Sequence, residues 1–428
     1  MALGSKREAD RPFPVVIVGA GPVGLTAGLV LARAGIEVVV LEAEERLVED
    51  LRTTIIQPSS LEVWSLLEAS KEFGDYGTKC PIMQFRERTN GPVANLRYDC
   101  LERQTAFPYI LLCALPFVLP NLLKALMATG RATVLFGHRV DGVEAADDEI
   151  RLFVSKPEPL TIAARFVLAA DGTHSVVRDA FPIDRHRIAP SSRLFRITVA
   201  DPVDRYITGI QDFSYVMDSV CFGVILRNPG FWRIPIGLAG EGAGPLSLVA
   251  GDSDGQELIR QFFFPGRAVN VTAARPLSIP NWIASEFGVD RILFAGDSAH
   301  AMNPMAGLGM NSGILDAIDA ALALVEAITV GAPGPRWFAY LHHRPKVARD
   351  IAVRALNRYH LLTEVDTGRQ RQRNRWLKKL ENDDGRRAEA LQEFSLLDRF
   401  EDLKEELIKV LDGNMTRARA VEGFERER

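Results

Sequence analysis

The feature that most constrains this chain is a glycine-rich turn between an apolar strand and a helix near its start. Residues 14–44 have the sequence PVVIVGAGPVGLTAGLVLARAGIEVVVLEAE. The apolar run Val15–Val18 predicts a buried strand, Leu25–Arg33 predicts a helix, and Glu37–Leu41 predicts a second strand. Because a helix joins two buried apolar strands, we expect a βαβ unit whose strands run parallel.

The turn itself fits the pattern G-x-G-x-x-G through Gly19, Gly21 and Gly24. In such a turn the first glycine permits the tight bend, the second admits a pyrophosphate, and the third lets helix and strand pack closely. The helix N-terminus offers free N–H groups to phosphates, and Glu42 can accept hydrogen bonds from a ribose. The predicted dinucleotide-binding residues are Gly19, Gly21, Pro22, Val23, Gly24, Glu42 and Ala43. A ligand-free tight turn is the alternative, and the motif alone does not separate FAD from NAD.

Composition narrows the class of protein. The 428 residues are 47% hydrophobic and 25% charged with a net charge of −4, which predicts two or three globular domains and argues against a general nucleic-acid binder. The four cysteines are scattered without a C-x-x-C pair, so we expect neither disulfides nor a metal site. Glycines and Glu37 interrupt the apolar run 13–41, so we expect no membrane span and a cytoplasmic protein.

The pattern of predicted secondary structure changes twice along the rest of the chain. A strand meander is predicted at 133–136, 142–145 and 151–154, followed by a buried strand at Phe166–Ala170. Between about 184 and 280, short strand-like runs separated by Gly, Pro, Asn and Asp predict an inserted, mostly antiparallel sheet. In the tail, the basic run Arg369–Leu380 predicts a solvated helix face. Leucines and phenylalanines over Leu391–Leu411 predict one amphipathic helix packed on its own domain or on a dimer mate.

Two further motifs accompany the first turn. Asp171-Gly172 ends the strand at 166–170, with Ser175 and Arg178 following, and ILFAGDSAHAMNPMAGLGMNSGILDA spans Ile292–Ala317. In this order, together with PKVARDIAV at 345–353, the three motifs closely resemble the single-component FAD-dependent aromatic hydroxylases. These are flavoprotein monooxygenases with the p-hydroxybenzoate hydroxylase fold. The resemblance covers roughly residues 15–353 and is strongest to members that act on small phenols.

The resemblance implies a fold and a division into domains. The expected class is α/β, α+β overall, with a Rossmann-like FAD-binding domain, an inserted antiparallel substrate domain and a helical tail. The expected boundaries are 12–75, 112–183 and 281–365 for the FAD-binding domain, 76–111 and 184–280 for the substrate domain, and 366–428 for the C-terminal helical segment.

The resemblance also assigns cofactor contacts. Arg52 would reach the pyrophosphate region, Val140 would offer a backbone contact near the adenine, and Asp171 with Gly172 would lie near the pyrophosphate. Gly296 and Asp297 would hold the ribityl hydroxyls, with a helix cap as the alternative role of Asp297. The expected flavin-edge and flavin-floor residues are Pro304, Gly307, Leu308, Gly309, Met310 and Asn311. Backbone N–H groups after Gly309 would stabilise negative charge on the reduced ring.

Three positions depart from the family pattern. Phe117 stands where a glutamine is common, which removes one polar flavin contact. Ala306 replaces a frequent glycine and is tolerable if its φ is negative. Gly230 replaces the first tryptophan of the halogenase pattern W-x-W-x-I-P, of which Trp232 begins the second half.

The family resemblance implies that the protein uses FAD, NADH or NADPH, and O2 to hydroxylate a small aromatic substrate through a flavin C4a-hydroperoxide. The expected oligomer is a monomer or homodimer. The alternatives are a tailoring hydroxylase of a larger natural product, a halogenase or other FAD oxidoreductase, and a non-catalytic FAD-binding interaction protein.

No residue is assigned as catalytic. The substrate-side candidates are Arg196, Tyr206, Tyr215, Arg233 and Pro304, with His186 and Arg193 as further ones. Each has a surface or packing role as its alternative. The expected pocket walls include Phe213, Phe222 and Trp232.

Overall fold

The computed structural model describes residues 12–49, 53–238 and 252–426. The strands of the described residues fall in two large sheets and a small one. The strands are β1 (Phe13–Val18), β2 (Val38–Leu41), β3 (Thr53–Ile56), β4 (Thr78–Cys80), β5 (Ile82–Glu87), β6 (Gly91–Arg97), β7 (Ile110–Ala114), β8 (Ala132–Leu135), β9 (Val140–Ala145), β10 (Ile150–Val154), β11 (Leu160–Ala169), β12 (Arg185–Val199), β13 (Phe213–Met217), β14 (Cys221–Asn228), β15 (Phe231–Leu238), β16 (Val271–Ala284), β17 (Gly288–Val289), β18 (Ile292–Phe294) and β19 (His300–Ala301).

Helices cover the parallel sheet and make up the C-terminal part. They are α1 (Pro22–Arg33), α2 (Pro58–Leu66), α3 (Phe73–Tyr76), α4 (Leu115–Ala128), α5 (Val176–Asp179), α6 (Asp252–Phe262), α7 (Gly309–Val330), α8 (Pro335–Thr363), α9 (Thr367–Asn382), α10 (Asp384–Phe394) and α11 (Leu397–Arg426). None of the helices in the described part of the chain has the length and apolar composition needed to cross a bilayer.

The first sheet carries the predicted βαβ unit. Its order is β17-β18-β11-β1-β2-β8, and β1 pairs in parallel with both β2 and β11. The side chains of β1 from Val15 to Val18 are buried, as both faces are covered. The predicted meander is wrong for its first strand, because β8 pairs in parallel with β2 after helix α4. The meander that does form consists of β9, β10 and β11, which pair antiparallel.

The second sheet has the order β19-β16-β12-β15-β14-β13-β5-β6 and is antiparallel except for the pairing of β13 with β5. Alternation of side chains gives it two faces. The inner face contributes Leu194, Phe213, Tyr215 and Phe222 to a core that also contains Met305. The outer face packs against α6 and includes Phe195, Ile197, Trp232, Ile234 and Ile236. The predicted inserted sheet is confirmed, and the domain boundaries stay a prediction.

One prediction for the C-terminal helices, a single amphipathic helix over Leu391–Leu411, is wrong. The predicted continuous amphipathic helix is broken between α10 and α11, where Leu396 has a φ of 58°. Leu391 packs with the inner-face core, whereas Leu403 and Leu407 pack with the core around the parallel sheet. The break therefore lets two halves of one apolar pattern pack on different cores. In α9 most of the basic run is exposed, but Arg373 is buried and pairs with Glu87 at 3.3 Å.

Candidate functional site

In the glycine turn after β1, the packing of the fold requires glycine at two positions but not at the third. A Cβ atom on Gly24 would lie 2.0 Å from the carbonyl oxygen of Gly19, and one on Gly19, whose φ is +104°, would lie 2.4 Å from that of Ala170. A Cβ atom on Gly21 would meet nothing within 4 Å. Packing therefore explains Gly19 and Gly24, whereas the space beside Gly21 fits the close approach of a ligand.

Helix α1 presents its N-terminus at this open space. It begins at Pro22, and its N-cap residue Gly21 provides no side-chain cap. The first N–H groups of the helix are therefore available to an anion, and the helix dipole favours one. A Cβ atom on Gly296 would lie 2.9 Å from Cγ2 of Val23. The fold thus brings the second glycine turn, at residues 296–298, into contact with the first.

Glu42 follows β2 and is held by the backbone around the turn. Its Oε2 accepts a hydrogen bond from the Ala20 N–H at 2.8 Å, and its Oε1 accepts one from the Glu44 N–H at 2.9 Å. The His138 N–H donates to the Glu42 carbonyl at 2.8 Å, which brings the start of β9, with Val140, alongside. The carboxylate keeps lone pairs for a ribose, since each oxygen accepts one bond here.

An open cleft of about 890 Å³ begins at Ala43, beside Glu42. It lies at the predicted adenosine end of the site, away from Asp297. Its lining includes Ala43, Glu44, Arg46, Phe136, Arg139 and Lys156.

Asp171, after β11, carries an unsatisfied carboxyl oxygen. Oδ2 accepts a hydrogen bond from the Val177 N–H at 3.2 Å, whereas Oδ1 is buried and lacks a hydrogen-bond partner among the described residues. Burial raises the pKa of this carboxyl, and hydrogen bonds from Ser175 and Val177 with the charge of Arg178 oppose that rise only in part. A buried acceptor without a partner fits a ligand that donates a hydrogen bond.

Asp297 is the one exposed residue in the stretch from Ile292 to Asn303. The Thr173 hydroxyl, which follows Asp171-Gly172, donates to its Oδ2 at 3.3 Å. The short 3₁₀ turn at Gly296–Ser298 has Ala295 as its N-cap, and helix α7 has Leu308. Asp297 is therefore the cap of neither element, which favours a ligand-binding role over the capping alternative. All three sequence motifs meet around this carboxylate.

The loop from Pro304 to Asn311 leads into α7. Gly307 has a φ of 64°, and the positive-φ positions of the described chain do not include Ala306, so alanine is tolerated there as expected. The Asn311 amide is fully engaged by the protein. Its Oδ1 accepts from the Gln57 N–H and the Ser60 hydroxyl, and its Nδ2 donates to the carbonyls of Ile55 and Gly307. The Asn311 side chain is thus not open to a ligand, and the backbone N–H groups of this helix start are donors that fit one.

The inner face of the second sheet meets this loop. The Tyr215 hydroxyl donates a hydrogen bond to the Met305 carbonyl at 2.9 Å. Arg196 and Thr198 share the face of Leu194, because they are two and four residues along β12. Arg233, opposite Thr198 on β15, donates to the Thr198 hydroxyl at 2.7 Å. An apolar aromatic surface with arginines at one end therefore faces the Pro304 loop.

Comparison with known proteins agrees with this geometry. A family described as FAD binding domain matches residues 12–355. Para-nitrophenol 4-monooxygenase of Pseudomonas sp. (strain WBC-3) is 30% identical over 343 residues, covering 78% of this chain and 83% of that protein. The chain belongs to this FAD-binding family. It is an FAD-dependent monooxygenase of the aromatic hydroxylase type, as the motifs predict.

Other members of the family extend the comparison. The crystal structure of p-nitrophenol 4-monooxygenase PnpA from Pseudomonas putida DLL-E4 matches with a TM-score of 0.80 at 26% identity, over 90% of this chain and 98% of that one. Rifampicin monooxygenase of Rhodococcus hoagii is 27% identical over 345 residues, 79% of this chain and 69% of that protein.

In this monooxygenase the residues that fit FAD come from separate elements. The open space at Gly21 and the α1 N-terminus fit the pyrophosphate, and Glu42 fits the adenosine ribose. The orphaned oxygen of Asp171 and the exposed carboxylate of Asp297 fit donors such as hydroxyl groups. Arg52 lies outside the described residues. These individual contacts remain predictions, supported by the geometry around each residue.

Several substrate-side candidates of the monooxygenase do not reach the inner face. Tyr206 packs against Phe264 in the outer-face core, at 5.8 Å between ring centroids. Trp232 lies in the same core, so its prediction as a pocket wall is wrong, because alternation along β15 turns it away from Arg233. His186 is exposed on β12, and the Arg193 side chain lies outside the described residues.

Phe117, on α4, stands where the family commonly has glutamine. It is 38% exposed, and its ring stacks in parallel on that of Tyr76 with 5.1 Å between the ring centroids. It therefore provides an aromatic surface where the family pattern has a polar group.

Sequence reasoning missed one group entirely. Asp316, on α7, is fully buried and contacts both His300 and Arg344. A signal existed, because an acid inside the apolar run GILDAIDAALALV needs a buried partner. The sequence does not show which of many basic residues that partner is.

Proposed function

We propose that this flavoprotein hydroxylates a small phenol, with NADH or NADPH as reductant and O2 as oxidant. The observation that carries the proposal is the hydrogen bond from Tyr215 to Met305, which holds an aromatic surface against the loop that begins at Pro304. The 30% identity to para-nitrophenol 4-monooxygenase supports the same substrate class.

The inner face suits an aromatic ring by its chemistry. Phe213 and Phe222 are fully buried there, so the aromatic part of this face keeps water away from the loop. Burial raises the pKa of Tyr215, and the nearby Arg358 only partly opposes that rise. Tyr215 therefore stays protonated at neutral pH and acts as a hydrogen-bond donor rather than as a base.

The arginines give this face its polarity. Arg196 is half-buried and Arg233 is buried, both on the Leu194 side of the sheet. A guanidinium near a phenol favours the phenolate, and ionisation makes the ring carbons ortho and para to oxygen more electron-rich. Bound FAD supplies electron transfer from the nicotinamide and the activation of O2. The chain's own tasks are to orient the phenol, to favour its ionisation and to keep the site dry.

Substrate-stimulated oxidation of NADH or NADPH tests the proposal. The panel should contain phenol, p-nitrophenol, p-hydroxybenzoate and a polycyclic phenol, with H2O2 measured beside each hydroxylated product. We expect a small phenol to accelerate oxidation and to give product with little H2O2. Oxidation that no phenol accelerates, or that yields only H2O2, would contradict the proposal.

A larger natural-product substrate is the second candidate, since the chain is 27% identical to rifampicin monooxygenase. The same panel distinguishes it. Product from the polycyclic phenol alone would establish the second candidate and overturn the first.

A further inference from the structure

Asp316 forms a buried ionic cluster behind the turn that carries Asp297. Its Oδ1 accepts from Nε of Arg344 at 2.5 Å, and its Oδ2 lies 2.6 Å from Nε2 of His300. Asp316 is 0%, His300 0% and Arg344 3% exposed, so the ion pair between Asp316 and Arg344 is not screened by water. Burial alone would raise the pKa of Asp316, but Arg344 and His300 hold it well below its usual range. The carboxyl is therefore ionised throughout the neutral range.

The cluster touches the flavin-side turn at one atom. Oδ2 of Asp316 also accepts a hydrogen bond from the Gly296 N–H at 2.9 Å, and Gly296 directly precedes Asp297. A Cβ atom on Gly313, one turn earlier in α7, would lie 3.0 Å from Cα of Gly296, so helix and turn are in close contact. A charged acceptor forms a stronger hydrogen bond with an N–H than a neutral one does.

The other side of the turn is held as well. Arg178 donates from Nη1 to the Ser298 carbonyl at 3.0 Å. The turn is thus fixed at Gly296 and at Ser298, while the residue between them, Asp297, is exposed. This arrangement restrains the backbone and leaves only the Asp297 carboxylate pointing to solvent-accessible space.

We propose that Asp316, held by Arg344 and His300, is a positioning residue that aims the Asp297 carboxylate at the ribityl hydroxyls of FAD. The inference rests on the proposed role of Asp297, and it is independent of which substrate the enzyme hydroxylates. Arg344 lies on α8 and also donates to the Ser312 carbonyl in the first turn of α7 at 3.2 Å. The cluster therefore joins α7, α8 and the cofactor turn into one unit.

A double-mutant cycle on FAD affinity tests this role. Full-length apoprotein is titrated with FAD, followed by flavin fluorescence, for Asp297→Ala, Asp316→Asn and the double variant. We expect Asp316→Asn to weaken FAD binding about tenfold, the equivalent of one buried charged hydrogen bond. In the Asp297→Ala background the same change should have little effect, because the carboxylate that it positions is gone. Additive losses would overturn the proposal.

A control separates positioning from general stability. Asp398→Asn removes another ion pair of α8, between Arg354 and Asp398 at 2.8 Å, far along the helix from the cofactor turn. It should lower the melting temperature without changing FAD affinity. Wild-type FAD affinity in Asp316→Asn, with only a lower melting temperature, would make the cluster purely structural.

A milder variant covers the case in which Asp316→Asn does not fold. Arg344→Lys keeps the charge but cannot reach Asp316 and the Ser312 carbonyl with the same fork of donors. Its FAD loss should also vanish in the Asp297→Ala background. An equal loss in both backgrounds would overturn the proposal. If Asp297→Ala alone binds FAD normally, the premise about Asp297 fails instead.

Discussion

The Tyr215 hydroxyl and the Met305 carbonyl, 2.9 Å apart, join the two halves of the site. Tyr215 lies on β13 in the second sheet, and Met305 follows Pro304 in the loop that leads to α7. Both residues are buried. The contact therefore fixes how far the aromatic inner face lies from the loop that would support the flavin.

Tyr215→Phe should impair the coupling of NAD(P)H oxidation to substrate hydroxylation more than it impairs folding. The change leaves the Met305 carbonyl without its donor, and loss of one buried hydrogen bond lowers the free energy of unfolding by about 1 kcal/mol. Because the loop is then less restrained, we expect more H2O2 per NAD(P)H oxidised. Tyr206→Phe on the outer face is the matched control and should behave as wild type. Equal coupling in the two variants would contradict the assigned role of Tyr215.

Gly21→Ala and Gly24→Ala should have opposite consequences for the apoprotein. A Cβ atom at position 24 would lie 2.0 Å from the Gly19 carbonyl, so that variant should be strongly destabilised. At position 21 the Cβ atom meets nothing within 4 Å, so the apoprotein should melt as wild type. Its methyl group fills the space proposed for the pyrophosphate, and FAD affinity should fall by about tenfold or more. Unchanged FAD affinity in Gly21→Ala would place the pyrophosphate elsewhere.

Asp171→Asn should stabilise the apoprotein at neutral pH. Burial raises the pKa of Asp171, so the folded protein favours the protonated acid, and this stabilisation is lost as pH rises through the raised pKa. Asparagine avoids that loss. We expect a higher melting temperature than wild type at pH 7, with the difference shrinking as the pH falls toward the ordinary aspartate pKa of about 3.9. The exposed Asp148→Asn serves as control. A pH-independent difference would show that burial of charge is not the cause.

The cysteines should differ sharply in reactivity. Burial raises the pKa of the Cys113 and Cys221 thiols to about 12 and that of Cys80 further still. Cys100 is only half-buried, although burial raises its pKa too. Because the thiolate is the reactive form, Ellman's reagent on the native protein should modify Cys100 first. Cys100→Ser should abolish this early phase, and rapid modification of that variant would contradict the assignment.

Local patterns predicted the elements that depend on neighbours in sequence. The turn at Gly19–Gly24, the buried strand before Asp171 and the start of α7 all follow from glycine spacing and apolar runs. The direction of β8 did not, because it depends on which strand the chain meets after α4. The break at Leu396 was also missed, since the apolar period continues across it while the two halves pack on different cores.

Side-chain placement was harder to predict than the fold. Trp232 and Arg233 are neighbours in sequence, and a strand puts them on opposite faces, so they could not both face the pocket as expected from the sequence. Asn311 fell in the predicted flavin floor, but its amide bonds to Ile55, Gly307, Gln57 and Ser60, residues brought near by tertiary structure. Such partners, like Arg344 for Asp316, emerge only once the helices are packed.

The most direct test of the central claim is the mass of the product formed from a small phenol under ¹⁸O2. Monooxygenation transfers one atom of O2 to the ring, so the hydroxylated product should be heavier by the mass of one ¹⁸O substitution, and H2¹⁸O with unlabelled O2 should leave it unlabelled. Product oxygen that comes from water, or NAD(P)H oxidation that yields no labelled product from any phenol, would contradict the assignment of an aromatic hydroxylase.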